Sequence, residues 1–360
     1  MKMQQQVIKQ IPVTLLTGFL GSGKTTLLRQ MLALPDWRDT LVLVNELGTV
    51  GLDHHLLGSA SDAIMLLENG CICCSVRDDL VGVLEDLFWK RLQRRMPHFS
   101  RVVIETTGLA DPRPIIKALF SHALVTQRYV LDSVLCTVDA TTGQMHLARH
   151  PESLAQATAA DTLLLTKTDC TDDKVCEALE AALRNLNPLA LLQRTVPGQL
   201  QPDFLRQLGA RAKEHVPALP VNSTPAAAAT AMPFMRYLHH GRVQTTTLRF
   251  TRQWQWDDFE QALRLTLARH GEHILRIKGW LALAGESGPT VIQAVQQTFY
   301  PVEQMADWPD VKRDSFIVCI TTGLPANAIA AAFRSHMANP SLVQQPTHGA
   351  SCYLRDSTSG

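Results

Sequence analysis

A glycine-rich turn between a short apolar run and a helical pattern constrains this chain more than any other feature. Residues 18–25 read GFLGSGKT, directly after the apolar run 13–16 and at the start of a helical pattern over 24–33. Glycines let the backbone adopt conformations that other residues avoid and let it approach a ligand closely. Backbone N–H groups and the following helix N-terminus then hold phosphate charge. The turn is therefore predicted to be a phosphate-binding loop for a nucleoside triphosphate with Mg²⁺.

The positions within this loop predict separate contacts. Lys24 is expected to reach the β- and γ-phosphates, and the Thr25 hydroxyl is expected to ligate Mg²⁺. The other loop residues expected around the phosphates are Gly18, Gly21, Ser22, Gly23 and Thr26.

Short apolar runs alternate with helical stretches as far as about residue 210. Unbroken runs of this length are typical of strands buried on both faces of a parallel sheet. The predicted strands are 13–16, 41–44, 101–104, 134–138 and 162–165, and the predicted helices include 24–33 and 77–95. We expect a doubly wound, mostly parallel α/β domain over residues 1–214.

The second half of the chain has a different pattern. Residues 215–241 contain four prolines and an alanine run, which indicates a linker. Residues 242–338 show the order β-α-β-β-β-α, with strands at 244–250, 274–284, 290–299 and 316–322 and a last helix at 326–337. This order favours a small two-layer α+β domain, followed by a weakly ordered tail at 339–360.

Composition excludes several classes of partner. The charged residues are 34 Lys+Arg and 33 Asp+Glu, so the net charge of +1 gives no electrostatic footprint for nucleic acid or an anionic membrane. The N-terminus has no signal-peptide pattern, and the first apolar run is too short to span a membrane. A cytoplasmic protein is expected.

Two acidic positions follow later predicted strands. Glu105 ends the strand at 101–104, where a carboxylate can hold the Mg²⁺ shell, and Gly108 can turn a backbone N–H toward the γ-phosphate. Asp169 lies in the sequence TKTD at 166–169, after the last long strand. Its carboxylate can accept both N1–H and N2–H₂ of guanine while the Lys167 stem packs on the purine, which favours GTP over ATP.

Three clustered cysteines form the second distinctive motif. Cys71, Cys73 and Cys74 lie within NGCICC at 69–74, among 8 cysteines in the chain. Soft thiolates suit Zn²⁺ and also Co²⁺ or Cu(I), and three of them leave a tetrahedral shell incomplete. A redox switch or buried packing cysteines are the alternatives.

The segment after the second strand corresponds to the first switch of a GTPase. Glu46 and Asp53 are candidates to face Mg²⁺, the attacking water or the second metal. His54 and His55 lie beside them, although adjacent loop histidines are more often solvated than ligating.

Together these motifs resemble the CobW-type family of P-loop GTPases, most closely its bacterial YjiA-like branch. The resemblance covers nearly the whole chain and rests on GFLGSGKTT at 18–26, NELG at 45–48, NGCICC at 69–74, ETTGLADP at 105–112 and TKTD at 166–169. The segments at 278–279 and 293–300 also resemble the family's C-terminal domain. The chain departs from the family's common pattern at Thr49 (often acidic) and Thr166 (commonly Asn). Its linker carries only three histidines, at positions 215, 239 and 240.

The resemblance implies slow GTP hydrolysis coupled to the binding and delivery of a divalent transition metal. The metal is expected to be Zn²⁺ or Co²⁺, bound at the cysteine motif and passed to a client metalloprotein. A homodimer is one way to complete the three-thiol site. Two alternatives remain open: a P-loop kinase with a structural zinc, and a redox-sensing nucleotide-binding regulator.

Overall fold

The protein is described from a computed structural model. The described residues are 10–44, 64–66, 72–195, 204–205, 243–250, 253–308, 315–325, 327–335 and 342–346. For residues 64–66, 72–79, 334–335 and 342–346 the description covers the backbone only.

The N-terminal half forms a parallel sheet whose strands are the predicted apolar runs, with two additions. The strands are β1 (Ile11–Gly18), β2 (Thr40–Val44), β3 (Ile64–Leu66), β4 (Arg101–Glu105), β5 (Tyr129–Asp139), β6 (Thr162–Thr166) and β7 (Leu191–Arg194). The described strands pair in the order β3-β2-β4-β1-β5-β6-β7, each pair parallel. The doubly wound parallel prediction is confirmed. The two strands missing from the prediction, β3 and β7, are the short edge strands.

Helices connect these strands, as expected for parallel neighbours. They are α1 (Lys24–Leu32), α2 (Ile72–Leu92), α3 (Arg113–Ser121), α4 (Ala123–Arg128), α5 (Gly143–Arg149), α6 (Pro151–Ala159) and α7 (Asp173–Leu186). The central strands are buried on both faces, and one face packs on apolar side chains of α1, including Leu28 and Met31. This burial explains why unbroken apolar runs identified the strands.

The position of β1 sets where a ligand binds. The chain adds β2 on one side of β1 and later crosses to add β5 on the other side. In open α/β sheets ligands bind beyond the carboxyl ends of the strands at such a switch point. The glycine-rich turn after β1 lies at this place.

The C-terminal half forms an antiparallel sheet with helices on one face. Its strands are β8 (Gln244–Phe250), β9 (Ile274–Leu281), β10 (Thr290–Val295), β11 (Thr298–Phe299), β12 (Glu303–Gln304), β13 (Ser315–Thr321) and β14 (Leu342–Pro346). The order is β11-β10-β9-β13-β8-β14, with β12 paired to β10. Helices α8 (Trp256–His270) and α9 (Ala328–Ser335) contribute Phe259, Leu263 and Phe333 to one core with the sheet. The two-layer α+β prediction is confirmed.

Two details of this half differ from the sequence expectation. The segment 290–299 is a hairpin, not one strand, because Val295 pairs with Thr298 across a two-residue turn. Gln296 has φ 51° there, and no glycine or asparagine marks the turn in the sequence. The expected weakly ordered tail contributes strand β14, which pairs with β8.

The chain forms two compact units. The first comprises residues 1–177 and 191–212, and the second comprises residues 178–190 and 213–360. Among the described residues, no helix combines the length and the apolar character that a membrane crossing requires.

Candidate nucleotide-binding site

The turn after β1 has a backbone that only glycines adopt easily. Gly18, Gly21 and Gly23 have φ values of 140°, 69° and 96°. At Gly18 a Cβ atom would lie 2.5 Å from the carbonyl oxygen of Thr137 and 2.7 Å from Ser22 Oγ. Any side chain at this position would push the loop off β5, so the glycine is required by space as well as by conformation.

Polar contacts fix the loop to the sheet. The Ser22 and Thr137 hydroxyls form a buried hydrogen bond of 2.7 Å. Lys24 Nζ donates to the carbonyl oxygens of Gly18 at 2.9 Å and Phe19 at 3.2 Å, so the ammonium group lies over the loop. A cation held there suits the neutralisation of a bound polyphosphate.

A hydroxyl and a carboxylate meet next to the loop. Thr25 Oγ1 donates to Glu105 Oε1 at 3.0 Å, and the Glu105 side chain is buried. Hard oxygen donors of this kind suit Mg²⁺, which prefers one or two protein oxygens together with phosphate oxygens and water. The residues present therefore fit the ion that the sequence predicts.

The segment after β4 approaches the phosphate loop closely. Thr106 N–H donates to the Leu16 carbonyl at 2.9 Å. A Cβ atom at Gly108 would lie 2.6 Å from the backbone nitrogen of Leu20. Gly108 is thus brought against the phosphate loop, where the sequence expected a γ-phosphate contact.

Gln156 of α6 holds this segment from the other side. Its Nε2 donates to the carbonyl oxygens of Gly108 at 3.1 Å and Ala110 at 3.0 Å. Sequence reasoning missed this residue because a single glutamine in a helix carries no local signal of such a contact.

The TKTD motif is tied to the phosphate loop by its first residue. Thr166 Oγ1 donates to the Ser22 carbonyl at 2.7 Å. Lys167 adopts a left-handed backbone with φ 56°, and Asp169 is exposed on the short 3₁₀ turn Thr168–Cys170 that follows. A non-glycine residue in that conformation is typical of a functional turn.

Asp139, at the end of β5, anchors Lys167. Lys167 Nζ donates to Asp139 Oδ2 at 2.7 Å, and Thr141 donates to Oδ1 from its backbone nitrogen and its hydroxyl at 2.8 and 2.6 Å. Burial opposes ionisation of Asp139, but the hydrogen bonds from Lys167 and Thr141 outweigh it and lower the pKa of this carboxyl. The sequence signal for Asp139 is its position at the end of a strand.

Two histidines of the α5 region pack on the phosphate loop. The rings of His146 and His150 lie 4.5 and 4.6 Å, between centroids, from the ring of Phe19. Burial, together with the neighbouring His150, lowers the pKa of His146. The spacing of four residues was a sequence signal for two side chains on one helical face.

The predicted metal residues are described only in part. Cys73 and Cys74 lie in the first turn of α2, which begins at Ile72. The residues that lie outside the described part of the chain are Cys71, Glu46, Asp53, Thr49, His54, His55, His215, His239 and His240. Among the described side chains, no group of three or more His, Cys, Asp or Glu residues is arranged to hold a metal ion.

The buried cysteines of both sheets are poor metal ligands. Cys136 and Cys319 lie in β5 and β13, and burial raises the pKa of each thiol to about 12. Metal ligation requires the thiolate. Burial therefore disfavours the form of these two side chains that binds metal.

The chain resembles known proteins over both of its halves. Residues 12–193 match the family described as CobW/HypB/UreG, nucleotide-binding domain, and residues 243–337 match the cobalamin synthesis protein CobW C-terminal domain. Over 326 residues the chain is 34% identical to the zinc chaperone YjiA of Escherichia coli strain K12, covering 90% of this chain and 98% of that protein.

Two further comparisons span most of the chain. It is 27% identical over 368 residues to the zinc chaperone CobW of Pseudomonas aeruginosa, covering 92% of this chain and 93% of that protein. The crystal structure of Zn(II)-bound YjiA GTPase from E. coli superposes with a TM-score of 0.63 at 26% identity, over 91% of this chain and 99% of that chain. With its phosphate loop, its TKTD turn and its CobW-type second half, the chain belongs to the CobW/HypB/UreG family of nucleotide-binding proteins.

Proposed function

We propose that this protein is a GTPase that acts as a metal chaperone, binding Zn²⁺ or a similar divalent ion such as Co²⁺ and delivering it to a client protein. Two relatives that cover nearly the whole chain are named zinc chaperones, and the superposed crystal structure is named a Zn(II)-bound GTPase. The observation that carries the proposal concerns helix α2, which bears Cys73 and Cys74. This helix follows strand β3, whose last residue is aligned through β2 with Glu105 of the nucleotide site.

That register runs across four strands. Leu66 at the end of β3 pairs with Val44 of β2, Val44 pairs with Glu105 of β4, and Glu105 pairs with Leu16 of β1. Adjacent strands lie about 4.8 Å apart, so the backbone of Leu66 is roughly 10 Å from that of Glu105. Helix α2, with Cys73 and Cys74 in its first turn, begins six residues after Leu66. Six extended residues span at most about 20 Å, so the first turn of α2 begins no more than about 30 Å from Glu105.

The position of these cysteines in a helix also favours metal binding. The positive end of a helix dipole stabilises anions, thiolates included. Thiolates are the form that binds Zn²⁺. We propose Cys71, Cys73 and Cys74 as ligands, with Glu46 as a further candidate and a homodimer or the client as a source of the remaining ligand.

On the nucleotide side, this chain's own residues bind and orient the triphosphate. Lys24 and the backbone N–H groups of residues 18–26 hold the phosphates, and Gly108 presents a backbone N–H to the γ-phosphate. Thr25 and Glu105 hold Mg²⁺, which when bound offsets the charge of the phosphate oxygens. Glu46 and Asp53 are candidates to orient the attacking water. Lys167 and Asp169 select guanine.

Nucleotide and metal binding are proposed to be coupled. Contacts to the γ-phosphate order switch segments, and hydrolysis releases them. The segments that carry Glu46 and the cysteine motif follow β2 and β3, the two strands in register with Glu105. Any equilibrium coupling is reciprocal, so Zn²⁺ must change GTP affinity by the factor by which GTP changes Zn²⁺ affinity.

Paired titrations test this function. Zn²⁺ affinity is measured with a competing chelator in the presence of GDP and of a non-hydrolysable GTP analogue, and the affinity for each nucleotide is measured with and without Zn²⁺. We expect one tight site, lost in Cys73→Ala and kept in Cys170→Ser, which removes an exposed thiol outside the motif. The expected coupling is about fivefold or more in both directions.

Three outcomes contradict the proposal. Equal Zn²⁺ affinity with both nucleotides would exclude equilibrium gating. Transfer of the γ-phosphate to an added small acceptor would favour the kinase alternative. A Cys71–Cys73 or Cys73–Cys74 disulfide under mild oxidation, with no metal in protein purified under reducing conditions, would favour the redox regulator.

A further inference from the structure

A buried glutamine on α6 donates both of its amide hydrogens to the loop that follows β4. Gln156 is 1% exposed, and its Nε2 lies 3.1 Å from the Gly108 oxygen and 3.0 Å from the Ala110 oxygen. An amide nitrogen carries two hydrogens, and backbone carbonyls only accept. The orientation of the side-chain amide is therefore fixed, with its nitrogen facing the loop.

The other half of this amide shows that packing alone does not explain the residue. Gln156 Oε1 is buried, and no described group donates a hydrogen bond to it. Burying an acceptor without a donor is unfavourable, and leucine or methionine would fill a similar volume without that cost. The role of Gln156 therefore lies in its two N–H groups, which bond to the loop.

Those N–H groups set the direction of neighbouring peptide groups. Ala110 N–H also donates to the Thr107 oxygen at 3.1 Å, and the peptide bonds of the loop are trans. In a trans peptide the N–H points away from the carbonyl of the preceding residue. Gln156 holds the Gly108 and Ala110 carbonyls and so fixes where the Leu109 and Asp111 N–H groups point. The Gly108 N–H belongs to the peptide of the Thr107 carbonyl, which the Ala110 N–H holds within the loop.

The same loop touches the phosphate loop on its other side. A Cβ atom at Gly108 would lie 2.6 Å from Leu20 N and 2.7 Å from Leu20 Cα. The loop also follows Glu105 directly, and Glu105 accepts the Thr25 hydrogen bond. Its backbone is thus held between Gln156 and the residues expected around the phosphates.

We propose that Gln156 is a positioning residue for GTP hydrolysis, holding the 107–110 loop by its Gly108 and Ala110 carbonyls so that a backbone N–H of this loop contacts the γ-phosphate. The proposal rests on the proposed assignment of Gly108 to the γ-phosphate. Gln156 acts through the loop. It is therefore expected to affect GTP hydrolysis and the binding of GTP analogues, which involve the γ-phosphate, and to leave GDP binding unchanged.

The test compares Gln156→Met with a matched variant of the same helix. Gln156→Met removes both N–H groups at similar volume. Thr158→Val removes a buried hydroxyl that donates within α6, to the Leu154 oxygen at 2.8 Å. For Gln156→Met we expect kcat to fall on the order of tenfold to a hundredfold, with GDP affinity unchanged and the preference for a non-hydrolysable GTP analogue over GDP reduced. Thr158→Val is expected to keep the wild-type kcat and preference.

Hydrogen exchange separates this proposal from the assignment on which it rests. In the wild-type protein, slower exchange over residues 106–111 with the GTP analogue than with GDP supports the γ-phosphate contact, and equal exchange overturns that assignment. If the wild type shows this slower exchange with the GTP analogue, its loss in Gln156→Met supports the role of Gln156. Wild-type kcat together with the wild-type exchange response in Gln156→Met overturns it.

Gln156→Glu gives a second readout if the methionine variant folds poorly. A carboxylate repels the two loop carbonyls, whereas its protonated form offers one O–H donor again. We expect the activity of Gln156→Glu relative to wild type to rise as the pH falls from 7.5 to 5.5. An unchanged ratio over this range contradicts the proposal, because protonation removes the repulsion and restores a donor to the loop carbonyls.

Discussion

The hydroxyl of Thr25 donates a hydrogen bond of 3.0 Å to Oε1 of Glu105. These residues are 80 positions apart, and they meet because Glu105 ends a strand that pairs in parallel with β1. The parallel pairing brings the end of β4 beside the start of α1, where the phosphate loop also lies. Two hard oxygen donors are therefore preorganised at the edge of the sheet where the proposed Mg²⁺ binds.

Replacing Glu105 by glutamine tests this donor pair. The glutamine oxygen still accepts the Thr25 hydrogen bond, but the negative charge is lost. We expect the Mg²⁺ concentration for half-maximal GTP hydrolysis to rise by about 10- to 100-fold, with GDP affinity in the absence of Mg²⁺ little changed. Glu177→Gln, at an exposed position, is the control. An unchanged Mg²⁺ dependence in Glu105→Gln would show that Glu105 does not take part in Mg²⁺ coordination.

Two glycine-to-alanine variants have opposite expected effects. At Gly108 the new Cβ would meet the Leu20 backbone at 2.6 Å, so either the phosphate loop or the 107–110 loop must move. We expect a loss of roughly 1–3 kcal/mol in the free energy of unfolding and weaker binding of the GTP analogue.

At Gly82, an exposed position inside α2, nothing lies within 4 Å of the new Cβ. Helix propensity then predicts that Gly82→Ala raises the free energy of unfolding by about 0.5–1 kcal/mol. Urea denaturation measures both variants. A stabilised Gly108→Ala protein would contradict the close approach of the two loops.

Much of the fold is readable from local patterns, while the site is readable only in part. The unbroken apolar run of β6 predicts a strand because its side chains are buried on both faces, and the three loop glycines predict backbone conformations that other residues avoid. Strand β3 has only three residues, and the turn at Gln296 lacks turn residues, so neither produces a local signal.

The site residues that the sequence did not predict were missed for a different reason. Asp139 and Gln156 act on partners 28 and at least 46 positions away. Such contacts follow from the order of the strands and the packing of α6, neither of which the sequence pattern specifies. The carboxylate at the end of Arg101–Glu105 was predicted because parallel strands end at one edge of the sheet, so the place of a strand end is enough.

The Thr166 hydroxyl is predicted to stabilise the phosphate loop. Its hydrogen bond of 2.7 Å to the Ser22 carbonyl is buried, and valine has the same shape without the donor. Thr166→Val would leave a buried acceptor without that donor, so we expect a loss of about 1–3 kcal/mol in stability and weaker binding of both GTP and GDP. Thr126→Val, which removes an exposed hydroxyl bonded to the Ala123 oxygen in its own helix, is expected to change stability by less than about 0.5 kcal/mol. Equal effects of the two variants would contradict a specific role for Thr166.

Acid is predicted to weaken the anchor between Asp139 and Lys167. Burial of Asp139 favours its neutral form, but hydrogen bonds from Lys167 and Thr141 outweigh this and lower the pKa of the folded protein's carboxyl below its usual value. In the unfolded chain the pKa is about 3.9. The stabilisation from this carboxylate is therefore fully present above about pH 4 and is lost as the pH falls through the lower pKa of the folded state.

Asp139→Asn removes this titration and frees Lys167, whose side chain is 42% exposed. We expect the unfolding free energy of the wild type to exceed that of Asp139→Asn by a constant amount from pH 7 to about pH 5, and the difference to shrink below about pH 4. Because Lys167 is the residue proposed to pack on guanine, the variant should also bind GTP and GDP more weakly while its residual preference for guanine over adenine nucleotides falls.

Asp173→Asn is the control, since Asp173 is 86% exposed and pairs with Arg194 at the surface. Parallel pH profiles of the wild type and Asp139→Asn down to pH 3 would show that the ion pair does not stabilise the fold.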